Sequence, residues 1–99
     1  MNMSLDEVRR QVLPVLERHD VVRAAIFGSF ARGDIEKDSD IDFVVELPGN
    51  KSLLDLVSLQ LDLQEMLGRE VDVLTYRSLH PRIRDRILQE QVVIHEQRR

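Results

Sequence analysis

Apolar and polar positions alternate with two different periods along this chain, and the changes of period mark its elements. Ser4-Leu5-Asp6-Glu7 reads as a capping box that opens a helix, and Leu5, Val8, Val12 and Val15 or Leu16 continue one apolar face. Pro14 falls inside that face. It predicts a kink or a late restart, because proline removes a backbone donor and crowds the preceding turn. His19-Asp20 closes the segment. Val21 to Phe27 is β-rich and mostly apolar, the pattern of a strand buried on both faces, and it runs directly into Gly28-Ser29. A short helix is expected after that bend. Residues 33–39 are a polar loop, Asp40 to Leu47 returns to a strand pattern, and Pro48-Gly49-Asn50 is a turn.

The second half repeats the alternation. Ser52, with Asp55 three positions on, caps a helix over residues 53–67, and Gly68 is its natural stop. Val71 to Thr75 reads as a third strand. Leu79-His80-Pro81 starts another helix with proline at its tolerated first position, and Val92-Val93-Ile94 suggests a short final strand. Repeats, low-complexity tracts and linkers are absent. The order helix, strand, short helix, strand, helix, strand, helix, strand predicts a single domain over residues 1–99. Its class is α/β (α+β), with helices packed on a small mixed sheet.

The helix over 53–67 is apolar over an unusually wide arc. On a wheel of 100° per residue, Leu53, Leu56, Leu59, Leu63 and Leu67 make one stripe, and Leu54, Val57 and Leu61 make another. Either the helix packs between the sheet and a neighbouring helix, or its second stripe is exposed and docks a partner or another copy.

Composition narrows the picture. Trp is absent and only four of 99 residues are aromatic, so the core must come from Val, Ile and Leu. So small a chain leaves little room for a separate recognition module, and part of its specificity is expected from a partner or second copy. The net charge of −4 argues against a broad nucleic-acid-binding face. The last 24 residues are the exception, with six Arg against three acids, which leaves room for a small positive patch. Cysteine is absent, which excludes disulfides, thiolate metal sites and redox thiols. The first residues carry no basic segment leading into an apolar one, so no signal peptide is expected. No apolar run approaches bilayer length. A cytoplasmic location is the expectation.

Three segments carry candidate chemistry. Gly28-Ser29 ends a buried strand. A strand that turns there into a helix offers free backbone N–H groups to phosphate, glycine allows close approach, and the Ser29 hydroxyl adds a donor. The alternative is an ordinary turn. In Ser39-Asp40-Ile41-Asp42-Phe43, the two acids are i and i+2 on a strand and share a face, while Ile41 and Phe43 point into the core. Adjacent carboxylates raise each other's pKa unless a cation lies between them, and oxygen-only ligands near a triphosphate suit Mg²⁺ or Mn²⁺. The alternative is an exposed acidic strand face. Asp72 stands between apolar residues in Glu70-Val71-Asp72-Val73-Leu74, a costly place unless it is paired, metal-bound or solvent-facing. If its strand neighbours Asp40–Leu47, Asp72 completes a three-acid cluster able to hold two metals; otherwise it points to water at a sheet edge.

Taken together, Gly28-Ser29-Phe30-Ala31-Arg32-Gly33-Asp34, then Ser39-Asp40-Ile41-Asp42, then Asp72 in a later strand, resembles the DNA polymerase beta-like nucleotidyltransferase superfamily. That family's pattern is a hydrophobic residue (here Phe27), Gly, Gly or Ser, a spacer of about ten residues, then Asp-hydrophobic-Asp or Glu. The short form looks like the minimal nucleotidyltransferases of prokaryotes, and the resemblance runs from about Val21 to Thr75. It implies that Gly28 and Ser29 contact the triphosphate, with Arg32 either joining them or lying on an outer face. It also implies that Asp40, Asp42 and Asp72 are the metal-binding and catalytic acids, with two Mg²⁺ ions and ATP as donor. Larger members carry an added acceptor-binding domain that this chain lacks, which leaves the acceptor open. Minimal members often pair with a small helical HEPN protein, commonly a ribonuclease toxin. The resemblance therefore implies an antitoxin that transfers AMP from ATP to a hydroxyl of that toxin, typically a tyrosine. The alternatives are an antitoxin that acts by contact alone, or nucleotidylation of RNA or a small molecule.

The remaining polar residues suggest less. His19, His80 and His95 are widely separated and show no ligand spacing. Tyr76, the only tyrosine, reads as structural or surface, with self-modification as the alternative. Arg82, Arg84 and Arg86 diverge on a helix and read as solvated, with an RNA or acidic-partner contact as the alternative.

Overall fold

Ser4 opens the first helix, its side chain accepting from the Glu7 N–H, and an N-cap oxygen of this kind satisfies one of the helix's orphan donors. The structure, a computed structural model, describes residues 4–33 and 40–97. Within them, α1 (Leu5–Arg18) leads to β1 (Arg23–Phe27), β2 (Ile41–Glu46), α2 (Leu53–Leu67), β3 (Val71–Thr75), a 3₁₀ turn (Tyr76–Ser78), α3 (Pro81–Glu90) and β4 (Val92–Glu96). The strands form one sheet in the order β3-β2-β1-β4. The β2–β3 pair is parallel and the other two pairs are antiparallel. This is the expected class: helices packed on a small mixed sheet.

The local signals explain most of the boundaries. Ser52 and Asp55 form a complete capping box, and Gly68 ends α2 in the left-handed conformation that glycine tolerates best. Pro81 occupies the start of α3, where its missing N–H costs nothing, and the His80 side chain accepts from the Arg82 N–H. The strands β1 and β2 are slightly shorter than their apolar runs, so Asp40 precedes β2, while β4 extends two residues beyond Ile94 to Glu96.

Two expectations need correction. Helix α1 runs unbroken through Pro14, with no restart. Pro14 lies on the exposed side, where the backbone carbonyl left without its donor can turn to water. After Gly28 there is a turn rather than a short helix among the described residues. Its bonds are Arg32 N–H to the Gly28 carbonyl and Gly33 N–H to the Phe30 carbonyl, and Gly33 then adopts a φ of 86° that ends the helical path.

The sheet has two unequal faces. Ile26, Ile41, Phe43, Val45 and Val71 point to the side covered by α1 and α2, where Val8, Val12, Leu16, Leu59 and Leu63 complete the main core. On the other face Ala25 and Val44 pack with Leu79 and Ile87, edged by Phe27 and Tyr76. Asp62 of α2 joins the two covering helices, lying 2.6 Å from His19 Nε2 and accepting from Arg18 at 3.3 Å. These contacts hold its carboxyl below the ordinary range, the His19 hydrogen bond being the largest cause. On the other side of α2, Gln60 donates to the Val71 carbonyl and Gln64 accepts from the Val71 N–H, at the outer edge of β3.

Only one of the two apolar stripes of α2 is covered. Leu59, Leu63 and Leu67 are buried, while Leu54, Val57 and Leu61 are exposed, and so is Leu53, which the wheel had grouped with the inner stripe. Leu53 lies at the first turn, over an open cavity lined by Leu47, Leu56 and Leu74. Leu63→Ala should therefore cost about 2–5 kcal/mol in denaturant unfolding, while Leu54→Ala changes stability by about 0.5 kcal/mol or less. Equal costs would contradict this orientation of α2.

Candidate active site

Two registers bring the acidic residues together. Phe27 of β1 lies opposite Asp42, so Gly28 follows just beside that carboxylate. On the other side of β2, Asp42 lies directly opposite Asp72 of the parallel strand β3. Ile41 and Phe43 are fully buried in the main core, and alternation along the strand therefore turns Asp42 to the opposite face. Asp72, between buried Val71 and Val73, is turned the same way and is exposed. Asp40 lies exposed just before β2, two residues from Asp42.

Gly28 has to be glycine here for two reasons. Its φ is 78°, a region that side chains resist, and a Cβ at this position would lie 2.5 Å from Asp42 Oδ2. Backbone and carboxylate thus approach as closely as the missing side chain permits. Ser29, partly buried, follows in the same bend.

Crowding of negative charge shows in the Asp42 carboxyl, which is pushed up from 3.8 to about 6. Partial burial is the largest cause. The charges of Asp72 and then Asp40 add to it, and a hydrogen bond with Asp72 favours the protonated form. Arg32 acts in the opposite direction. Asp42 is therefore close enough to feel Asp72, Asp40 and Arg32. Among the described residues, no group of three or more His, Cys, Asp or Glu side chains is placed to hold a metal ion by itself. Asp42 and Asp72 face one another with oxygen donors only, the kind that hard divalent cations prefer when other oxygens supply the remaining ligands.

Arg32 is tied to the far end of the chain. Its Nη1 donates to Glu90 Oε2 at 3.3 Å, and Arg86 Nε donates to Glu90 Oε1 at 3.2 Å. The last residue of α3 thus holds the arginine of the Gly28–Gly33 turn. The Arg86–Glu90 pair, four apart on a helix, was legible as a local contact. The link to Arg32 spans 58 residues and had no signal in the sequence.

The other polar candidates have local roles. The Tyr76 hydroxyl donates to Gln91 Oε1 at 2.7 Å, the Arg23 guanidinium lies 5.6 Å over its ring, and burial raises its pKa. His80 caps α3, His95 Nε2 lies 3.2 Å from the Val21 carbonyl, and His19 engages Asp62. Arg82 and Arg84 are exposed. No described helix is long and apolar enough to cross a membrane.

Comparison with known proteins places the fold in a known family. Residues 8–94 match the model of the nucleotidyltransferase domain family. A protein of Methanocaldococcus jannaschii, MJ0435, carrying a protein adenylyltransferase name, is 54% identical over 91% of this chain and 97% of its own length. The protein adenylyltransferase MntA of Thermococcus cleftensis is 36% identical, with 79% of each chain covered. A solved structure described as a minimal nucleotidyltransferase superposes with a TM-score of 0.80 at 40% identity, covering 91% of this chain and 95% of that one. A toxin–antitoxin structure with AMP-PNP shares the fold at a TM-score of 0.78 and 19% identity, covering 90% of this chain and 73% of that one. With a matched domain model spanning nearly the whole chain and a relative more than half identical, this protein belongs to the nucleotidyltransferase domain family.

Proposed function

We propose that this chain is a Mg²⁺-dependent protein adenylyltransferase that moves AMP from ATP to a hydroxyl, a tyrosine in our reading, of a HEPN-type toxin and thereby acts as its antitoxin. The observation that carries the reading is the position of Asp42, between Asp72 and the bare backbone of Gly28, with its carboxyl pushed up by partial burial and then by the charges of Asp72 and Asp40. A purely structural strand gains nothing from such repulsion. The names of the relatives support transfer of AMP to protein, and toxin–antitoxin complexes among the structures of the same fold support the partner class.

Each residue then has a chemical role. Asp40 and Asp42, assisted by Asp72, hold the metal, and Gly28 and Ser29 receive the triphosphate on backbone and hydroxyl donors. The fit rests on the facing oxygen donors of Asp42 and Asp72, and phosphate oxygens and water can supply the remaining ligands. When bound, the metal supplies Lewis-acid stabilisation of the charge on the phosphates and lowers the pKa of the attacking hydroxyl. That hydroxyl forms a bond to the α-phosphorus while the bond to the departing pyrophosphate breaks, in line with it. Asp72 accepts the hydroxyl proton or orients the group that loses it. Arg32, near enough to influence Asp42, adds positive charge beside the phosphates.

Three outcomes test this. Asp40→Asn, at an exposed position outside the core, should keep the fold and lower transfer from labelled ATP to the acceptor by about a hundredfold or more, several kcal/mol of lost metal stabilisation; wild-type turnover would refute the metal site. Gly28→Ala should reduce nucleotide binding in a calorimetric titration, because its methyl enters the space of the Asp42 carboxylate and its φ becomes strained; unchanged affinity would separate the bend from the site.

The third concerns pH. Asp42 has a folded-state pKa of about 6, above its ordinary 3.8. Its contribution to stability is therefore fully present below the ordinary value and is lost as pH rises through about 6. The metal-free protein should gain stability from this group on moving from pH 7 towards pH 4. A bound cation replaces the proton, so Mg²⁺ should raise the melting temperature more at pH 7.5 than at pH 5. An equal rise at both pH values, measured by thermal unfolding, would contradict the assignment.

A further inference from the structure

Arg32 sits in the turn after Gly28, where its charge and those of Asp72 and Asp40 all act on Asp42. A guanidinium on a flexible stem so close to carboxylates closes on one of them unless another acid holds it. Such a pair would put the arginine where a cation and phosphate are expected. The acid that holds Arg32 comes from the far end of the chain. Arg32 Nη1 donates to Glu90 Oε2 at 3.3 Å, and Arg86 Nε donates to Glu90 Oε1 at 3.2 Å, so each carboxylate oxygen has its own arginine. Glu90 is the least exposed of the three, at 31% against 47% for Arg32 and 74% for Arg86.

Topology brings Glu90 to this place. Strand β4 runs antiparallel to β1 with Val92 opposite Ile26, so the chain entering β4 lies beside the point where β1 leaves for Gly28. The end of α3 is fixed on both sides of Glu90. Ile87 is buried with Ala25 and Val44, and the Gln91 side chain accepts from the Tyr76 hydroxyl. Local helix chemistry does not account for an acid here. Glu90 ends α3, where the helix dipole is negative and a basic residue is the stabilising choice, yet the last turn has none. Arg86 precedes its acid by four residues, the less favourable order for such a pair. The bond across to Arg32 is what the carboxylate supplies at this position.

We infer that Glu90 is a positioning residue for nucleotide binding: it holds the Arg32 guanidinium off the aspartates and presents it beside the Gly28–Ser29 bend, with Arg86 bracing the carboxylate from the other side. This inference rests on the nucleotide site proposed above. Glu90 touches neither nucleotide nor acceptor and acts only through Arg32. Its removal leaves every aspartate and the bend in place. What changes is the orientation of one guanidinium, which then spends its charge on the nearest carboxylate instead of on phosphate oxygens.

A double-mutant cycle on the whole chain, read by calorimetric titration with ATP in the presence of Mg²⁺, tests this without requiring the acceptor. Glu90→Ala should weaken ATP binding by about three- to fivefold, the range that an exposed ion pair supplies. Arg32→Ala should weaken it by about tenfold or more, because a charge-assisted phosphate contact is lost outright. Added to Arg32→Ala, Glu90→Ala should cost nothing further, since a residue that acts through another has no effect once the other is gone. Glu90→Gln keeps one acceptor oxygen and should lose less than Glu90→Ala, and Arg86→Ala, which removes only the brace, should fall between wild type and Glu90→Ala. An equal loss from Glu90→Ala with and without Arg32 would mean that the acid merely supports α3, and would overturn the inference. Unchanged affinity in Glu90→Ala, with a wild type that binds ATP, would overturn it alone. A wild type that binds no ATP would overturn the nucleotide reading and this inference together.

Discussion

The candidate site depends on a contact between a backbone with no side chain and a carboxylate. Gly28 can lie against Asp42 only because Phe27 stands opposite Asp42 in the β1–β2 ladder, and Asp72 reaches the same carboxylate only because it stands opposite Asp42 in the β2–β3 ladder. A slip of one residue in either ladder would turn side chains to the wrong face and disperse the group. The main core prevents such a slip. Ile41, Phe43 and Val45 are fully buried on the other side of β2, so moving the strand would expose three large apolar side chains.

The two faces of the sheet consequently have different physical roles. The face beneath α1 and α2 contains most of the buried volume and most of the hydrophobic stabilisation that follows from it. The opposite face is thinly covered, by Leu79 and Ile87, and it tolerates like charges in close proximity. Asp42 carries the strain of that arrangement, and Arg32 relieves part of it. Glu90 in turn holds Arg32, so the end of α3 is joined to the bend that follows β1. Such an arrangement is held because its scaffold is fixed elsewhere, by the main core on the other face.

The helices and strands were legible wherever local chemistry is decisive. Ser52, Asp55, Gly68 and Pro81 set boundaries through hydrogen bonds and dihedral preferences that need no distant partner. The pairing of Asp42 with Asp72 was legible conditionally, since it depends on which strands are neighbours, while Asp40 lies just before β2. Failures occurred where tertiary context decided the outcome. Pro14 sits in a helix without interrupting it, because its side of α1 faces solvent. The short helix expected after Ser29 is a turn that Gly33 redirects among the described residues. Leu53 lies at the border of the two stripes, about 40° from both Leu67 and Val57 on the wheel, and is exposed at the mouth of a cavity that it lines with Leu56 and Leu74. The Arg32–Glu90 bond joins residues too far apart in the chain for any periodicity to reveal.

The side chains of Gln60 and Gln64 have an effect beyond holding α2 in place. By bonding both the N–H and the carbonyl of Val71, they occupy the positions that an incoming fifth strand would need at that point. An open β edge is ordinarily a template on which other chains assemble backbone to backbone. Here two amide side chains imitate the missing neighbour, so indiscriminate polymerisation along this border is discouraged and recognition is left to side-chain surfaces, which can tell one molecule from another.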